Sequence, residues 1–237
     1  MQFVLDMHCH TVAGGHAYGT LEENLAQAKE IGLLLTGTAE HGPRMPGSCP
    51  LLHFEEIMAL PDKIDGMHWF KGVEANITEE GLDVPDELLS RLDFVIASIH
   101  LALYLPGDKA ANTAAVVRAM EHPHVDIIGH LGDPGVPVDV EAIVKAAKRT
   151  GTIIEINNSS LTPGSYRYDG GKTVKLILEA CKREEVYVLA GSDAHHPKKV
   201  GNLELAKALI VESGIKEELV LNTDVQLFVS VLRNISP

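Results

Sequence analysis

The chain has 237 residues, 45% hydrophobic and 22% charged, which suits one sizeable core and a single unit spanning 1–237. A net charge of −13 excludes a broad surface for long nucleic acid, and no apolar stretch approaches the ~18 residues of a membrane span. Cys9, Cys49 and Cys181 are odd in number and form no Cys-x-x-Cys pair, which excludes a disulfide framework and a thiolate zinc site. Each is read as a buried small hydrophobe. Asp6 and His8 interrupt the first apolar run at once, unlike a secretory leader, so cytoplasmic residence is expected. The acidic balance also means that an anionic substrate would need something local and strongly positive, such as bound divalent cations.

Short apolar runs then alternate with segments of helical period. The first run, Phe3–His8, leads into His8-Cys9-His10; in a strand, residues two apart share a face at roughly 6–7 Å, a separation that suits two imidazoles on one cation. Alternation turns Cys9 away and puts Asp6 on the face of His8 and His10, one step deeper, where it would hydrogen-bond a ligand imidazole. His16 follows on a Gly14-Gly15 loop. Thr20-Leu21-Glu22-Glu23 reads as a capping box whose helix stops at Gly32. Strands are expected at Leu33–Thr38, before Glu40-His41; at Trp69–Ala75, which holds Glu74; at Phe94–His100; and at Val125–His130. A helix over Val140–Thr150, stopped by Gly151, precedes a strand at Thr152–Asn157. A helix at Thr173–Arg183 leads to a strand at Val186–Gly191, which runs into Ser192-Asp193-Ala194-His195, and a last helix covers Leu203–Ser213.

These strands are nearly continuous in apolar residues, as when both faces of a parallel sheet are covered. About seven strand–helix units predict an α/β fold, a closed or nearly closed TIM-like barrel with its chemistry at the carboxyl ends of the strands.

Nine donors collect there: His8, His10, His16, His41, Glu74, His100, His130, Asp193 and His195. Desolvating so many polar groups in one mouth is costly unless cations satisfy them. The set exceeds the three or four ligands of one zinc; two ions sharing a carboxylate, plus a third, accommodate it. Imidazole and carboxylate ligation suits zinc, manganese or iron, and sites open to water are catalytic. His53, His68, His122 and His124 fall in loops or at strand starts and read as solvated or capping. His196 points elsewhere.

The set resembles the polymerase-and-histidinol-phosphatase (PHP) family. Within it, His16-Ala17-Tyr18, Gly72-Val73-Glu74-Ala75-Asn76-Ile77, Asp108-Lys109-Ala110 and Glu155-Ile156-Asn157-Asn158-Ser159-Ser160 resemble the YcdX-type bacterial phosphatases. The resemblance implies a distorted (β/α)7 barrel around three divalent cations, zinc first. It groups His8, His10, Glu74 and Asp193 on one ion, Glu74, His100 and His130 on a second, and His16, His41 and His195 on a third. Glu40, where relatives commonly carry Asp, and Ala194, where serine often stands, are departures that leave every ligand in place.

The expected chemistry is hydrolysis of small phosphomonoesters by a hydroxide shared between two cations, with Glu74 and Asp193 at its centre. Arg44 and Lys109, read as lying on loops after strand ends, are the first candidates to neutralise phosphoryl charge, ahead of Lys198, Lys199 and Arg167. Asn157, Asn158 and Ser159 shape either the pocket floor or a turn. Alternatives are a phosphodiesterase or exonuclease on short oligonucleotides, a histidinol-phosphate phosphatase, an amidohydrolase, disfavoured because no bridging lysine ends a middle strand, and a non-catalytic metal-binding module. No membrane partner is expected, and assembly into a homo-oligomer is left open.

Overall fold

A computed structural model describes residues 1–169 and 171–234. Its sheet comprises β1 (Leu5–Asp6), β2 (Leu35–His41), β3 (Lys63–Ile64), β4 (Met67–Thr78), β5 (Gly81–Leu82), β6 (Phe94–Ser98), β7 (Ile127–Ile128), β8 (Ile153–Asn157) and β9 (Val188–Gly191). The helices are α1 (Leu21–Glu30), α2 (Leu51–Ile57), α3 (Asp86–Leu89), α4 (Lys109–Met120), α5 (Val140–Thr150), α6 (Lys172–Glu184), α7 (Glu204–Ser213) and α8 (Val225–Val231). Strand order is β1-β2-β4-β6-β7-β8-β9, with every neighbouring pair parallel. The short β3 and β5, absent from the expected set, pair antiparallel with the long β4.

Local chemistry explains the helix ends. Thr20 Oγ1 accepts from the Glu23 amide at 3.2 Å while Glu23 Oε2 accepts from the Thr20 amide at 2.8 Å, completing the capping box of α1. Gly32 (φ +82) and Gly151 (φ +76) end α1 and α5 in the left-handed conformation. Asp108 caps α4 by accepting from the Ala111 amide at 2.8 Å. Lys109 therefore opens a helix, where a loop was expected, and His53 likewise lies within α2.

Two apolar layers flank the sheet. Val73, Val95, Ile128, Ile154 and Val188 point outward beneath the helices. Leu5, Leu35, Phe94, Ile127, Ile153 and Leu189 fill the barrel, and Phe228 and Leu232 join them from the C-terminal segment. Phe94 occupies the axis: a Cβ on Gly72 would lie 2.4 Å from its ring, so only glycine fits there. Above this apolar floor the inward positions become polar.

The barrel closes at an irregular seam between β1 and β9. A single parallel bridge, Cys9 to Ala194, joins the two chain segments above the strands, with His10 N donating to Ala194 O at 2.9 Å. Below it the buried side chain of Asn222 takes the place of ladder bonds. It accepts from the Ala190 amide at 2.6 Å and donates to Leu5 O at 3.1 Å and Ala190 O at 2.8 Å. Asn222→Ala is expected to cost about 2–4 kcal/mol by orphaning these buried groups. At roughly 2–4 °C per kcal/mol for a chain of this size, the melting temperature should fall by about 4–16 °C. A fall of under ~2 °C in a thermal melt would show that the seam does not depend on it.

Candidate active site at the carboxyl ends of the strands

Glu74, on the inward face of β4, sits at the centre. Its Oε2 lies 2.6 Å from His41 Nδ1, 3.4 Å from His8 Nε2 and 3.6 Å from His10 Nε2. Its Oε1 lies 2.9 Å from His130 Nε2 and 3.3 Å from His100 Nε2. Asp193, just past β9, approaches His10 Nε2 at 3.3 Å, His195 Nδ1 at 3.5 Å and His8 Nε2 at 3.7 Å. His16, on the glycine-rich loop, places Nε2 at 3.1 Å from His41 Nε2. All nine donors thus gather in one mouth.

Outer hydrogen bonds aim several of the rings. Nδ1 donates to Glu155 Oε1 in His8 (2.6 Å), to Asn76 Oδ1 in His100 (2.8 Å), to Gly14 O in His16 (3.0 Å) and to Asp193 O in His195 (3.0 Å). A protonated Nδ1 leaves Nε2 with a free lone pair. Two of the nine donors, His130 (φ +28) and Asp193 (φ +54), hold left-handed backbone unusual for non-glycine residues, strain of the kind that collects at functional sites.

The donors fit divalent cations on an observation of their own. His8 Nε2, both ring nitrogens of His10, His41 Nδ1 and Glu74 Oε2 are buried without a hydrogen-bond partner. Close approach without hydrogen-bond geometry is costly for polar atoms unless a cation takes their lone pairs. Ligating atoms within 4.8 Å of one another form three groups: His8, His10 and Asp193; His41, Glu74 and His100; and His10, His41 and His195. These are candidate sites for divalent metal.

The chain is 46% identical over 228 residues to a probable phosphatase of Thermoanaerobacter sp., spanning 95% of this chain and 92% of that one. It belongs to this phosphatase family. A probable phosphatase of Clostridium acetobutylicum is 39% identical over 238 residues, spanning 98% of this chain and 96% of its own. No family model matches. Among solved structures, a histidinol phosphate phosphatase from Lactococcus lactis, complexed with zinc, L-histidinol and phosphate, matches with a TM-score of 0.63 at 18% identity over 90% of this chain and 94% of that chain. A Xaa-Pro dipeptidase with bound methionine matches at 0.58 and 11% identity over 98% of this chain and 75% of its own. At those identities the likeness shows a shared fold. Barrel and relatives together make this a phosphatase built on an α/β barrel.

Electrostatics in this phosphatase are set by burial against charge. Burial alone would raise the Glu74 carboxyl, yet His8, His41 and His100 outweigh it and hold the group well below the usual carboxylate range. Burial opposes charge on His10 too, but Asp193, Glu40 and Glu74 hold its imidazolium up to about 9. His41, buried beside His10 and His100, is pushed down to about 3 in spite of Glu74.

Several residues lie where the sequence did not put them. Asp6 accepts from the backbone amides of Gly201 at 2.8 Å and Ser192 at 3.1 Å, and hydrogen-bonds none of the donor imidazoles. The β1 ladder stops at Asp6, and alternation is lost over Met7–His8: Leu5 and Met7 both enter the barrel core, and His8 turns inward as well. Glu155 hydrogen-bonds the His8 imidazole instead. A carboxylate within the buried aliphatic run Ile153-Ile154-Glu155-Ile156 was the available signal.

Arg44 is exposed and donates to Glu80 Oε2 at 3.0 Å, and Lys109 is exposed at the start of α4. Neither lines the cavity of about 930 Å³ that opens above the donors. Arg167 and Lys199 do; Lys198 is exposed nearby in the chain. Arg167 is buried, donates through Nη2 to Asp193 Oδ2 and through Nη1 to Tyr166 Oη at 3.1 Å, and keeps Nε without a partner. Burial opposes its charge, but Asp193 raises its pKa above the usual arginine value.

Asn157 takes the turn role, accepting from the Ser160 amide at 2.9 Å; it does not line the cavity and instead donates to Glu155 Oε2 and Asp193 Oδ2. Asn158 accepts from the Leu205 and Ala206 amides in the first turn of α7 and, with Ser159, lines the cavity. His196 also lines it. Glu40 braces the glycine-rich loop by accepting from the Thr11 amide at 2.7 Å. His68 is exposed on β4, and His122 pairs with Asp86 on the surface. His124 meets Asn234.

Proposed function

We propose that the chain hydrolyses small phosphomonoesters with the help of three divalent cations, as a YcdX-type member of the PHP family. The observation that carries this reading is the convergence of buried, unpartnered ligand atoms from His8, His10, His41 and Glu74 beneath an open cavity. His8, His10, Glu74 and Asp193 would hold one ion, Glu74, His100 and His130 a second, and His16, His41 and His195 a third. Zinc is the first choice because imidazole and carboxylate donors suit it, with manganese and iron as alternatives. Cations bound there would supply Lewis-acid charge to polarise the phosphoryl group and acidify a water.

The chain's own residues do the rest. Arg167, anchored on Asp193 and lining the cavity, binds a phosphoryl oxygen in preference to the solvated Arg44 and Lys109. Tyr18, Leu101 and Tyr166 on the cavity wall cover the leaving group. The acidic surface repels long polyanions, which favours monoesters over polymers. The three cysteines are buried and free, as suits a reducing cytoplasm.

Purified protein should hydrolyse an aryl phosphate, lose that activity when stripped by a chelator, and regain it with zinc or manganese. Turnover undiminished in verified ion-free protein would overturn the reading. Full metal occupancy with no turnover across a panel of phosphate esters would point to a binding module.

A further inference from the structure

We infer that Glu155 is a positioning residue shared by two of the proposed cation sites. One carboxylate oxygen aims the imidazole of His8, and the other holds the main chain of His130. The inference rests on the cation reading above.

Glu155 lies on the inward face of β8, one step below the ligands and fully buried. Its Oε1 accepts from His8 Nδ1 at 2.6 Å, which turns His8 Nε2 toward Glu74 and Asp193. Its Oε2 accepts from the His130 amide at 2.6 Å and from Asn157 Nδ2 at 3.1 Å. That amide belongs to the residue with left-handed backbone, so a charge-assisted bond holds the strained turn that presents His130 Nε2 to Glu74 Oε1 at 2.9 Å. Both oxygens are spent on protein donors, so Glu155 is no ligand itself. Asn157 Nδ2 stands between it and Asp193 Oδ2, separating two buried carboxylates.

The neighbouring strand makes room for this carboxylate. A Cβ on Gly191 of β9 would lie 2.1 Å from Glu155 Oε1. His8 and His130 come from opposite parts of the chain, and no other side chain hydrogen-bonds both of them among the described residues.

The test compares wild type with Glu155→Gln and Glu155→Asp, each loaded with zinc or cobalt(II) and titrated against a chromophoric chelator. The amide of glutamine has one acceptor oxygen, so it serves His8 or His130 but not both. Aspartate keeps the charge and loses the reach to span both partners. Loss of an outer partner typically costs 10–100-fold in metal affinity. We expect that weakening for the ions held through His8 and His130, with the ion of His16, His41 and His195 keeping its wild-type affinity.

The cobalt absorption spectrum should change, and the metal-induced rise in melting temperature should shrink. A purely structural role would lower the melting points of stripped and loaded protein equally and leave the spectrum alone, which would overturn the inference. Wild-type affinities in the variants would do the same while leaving the cation reading intact. A wild type that takes up no ion would instead remove the cation reading and this inference with it. If Glu155→Gln does not fold, Glu155→Asp decides: unchanged affinity at both sites overturns the inference, and roughly tenfold weakening at either supports it.

Discussion

Glu74→Ala is expected to lower kcat/KM on an aryl phosphate by about 10³-fold or more. Removing one preorganised electrostatic group from a transition state costs about 10²–10³. Glu74 does more than one such group, because it is the carboxylate facing His8, His10, His41, His100 and His130 together. Without it, five buried imidazoles lose their shared counter-charge, and two proposed cation sites lose a ligand at once. The variant should therefore bind fewer ions as well as turn over more slowly, which metal analysis of the same sample checks. Glu74→Gln keeps the shape, loses the charge and should fail in the same direction. Glu79→Ala, exposed at the turn beyond the same strand, should match wild type. A folded Glu74→Ala protein with full metal content and activity within tenfold of wild type would remove Glu74 from the centre of the chemistry.

Arg167→Ala should lower kcat/KM by about 10²–10³, or ~2.7–4 kcal/mol, with metal content unchanged. The guanidinium is buried at the cavity wall, where a charge aimed at a phosphoryl oxygen acts through little solvent. Its link to Asp193 holds it in place before substrate arrives. Arg167→Lys should rescue poorly, because a point charge cannot span Asp193 and a phosphoryl oxygen as the planar fork does. Arg44 makes an exposed pair with Glu80, a contact worth ~0–1 kcal/mol. Arg44→Ala and Lys109→Ala should both stay within about twofold of wild type. Steady-state kinetics on the three alanine variants decides between them. A hundredfold loss in Arg44→Ala beside a near-normal Arg167→Ala would reverse the assignment.

Much of the barrel is legible before folding is considered. The runs around Leu35, Val95, Ile127, Ile154 and Leu189 are apolar on both faces, and the helices between them carry their own caps at Thr20, Gly32 and Gly151. That pattern reflects burial, and burial is what hydropathy records. It is blind to short pairings such as β3 and β5, whose residues are half-exposed and whose partner is supplied by the overhang of β4. It also says little about α4, whose alanine-rich run has a weak polar–apolar contrast.

The candidate site divides in the same way. His8, His10, His16, His41, Glu74, His100, His130, Asp193 and His195 announce themselves, because each is a strong ligand type at the end of an apolar run or on the loop after it. Glu155 and Arg167 do not. A glutamate inside an aliphatic strand stands out, but that alone does not tell a positioning residue from a structural carboxylate, and an arginine in a loop of glycine, serine and tyrosine has no local pattern that separates it from a surface charge. Asn222 is equally silent, as an ordinary asparagine after the last barrel strand.

Composition and periodicity thus determined the strand–helix alternation and the kinds of donor this protein carries, since both follow from local burial and side-chain chemistry. Which donors meet was decided by tertiary structure. The Glu155–His8 contact spans 147 residues of chain and the Asn222–Leu5 contact 217, so each depends on parallel register carried around the barrel and on closure between its first and last strands.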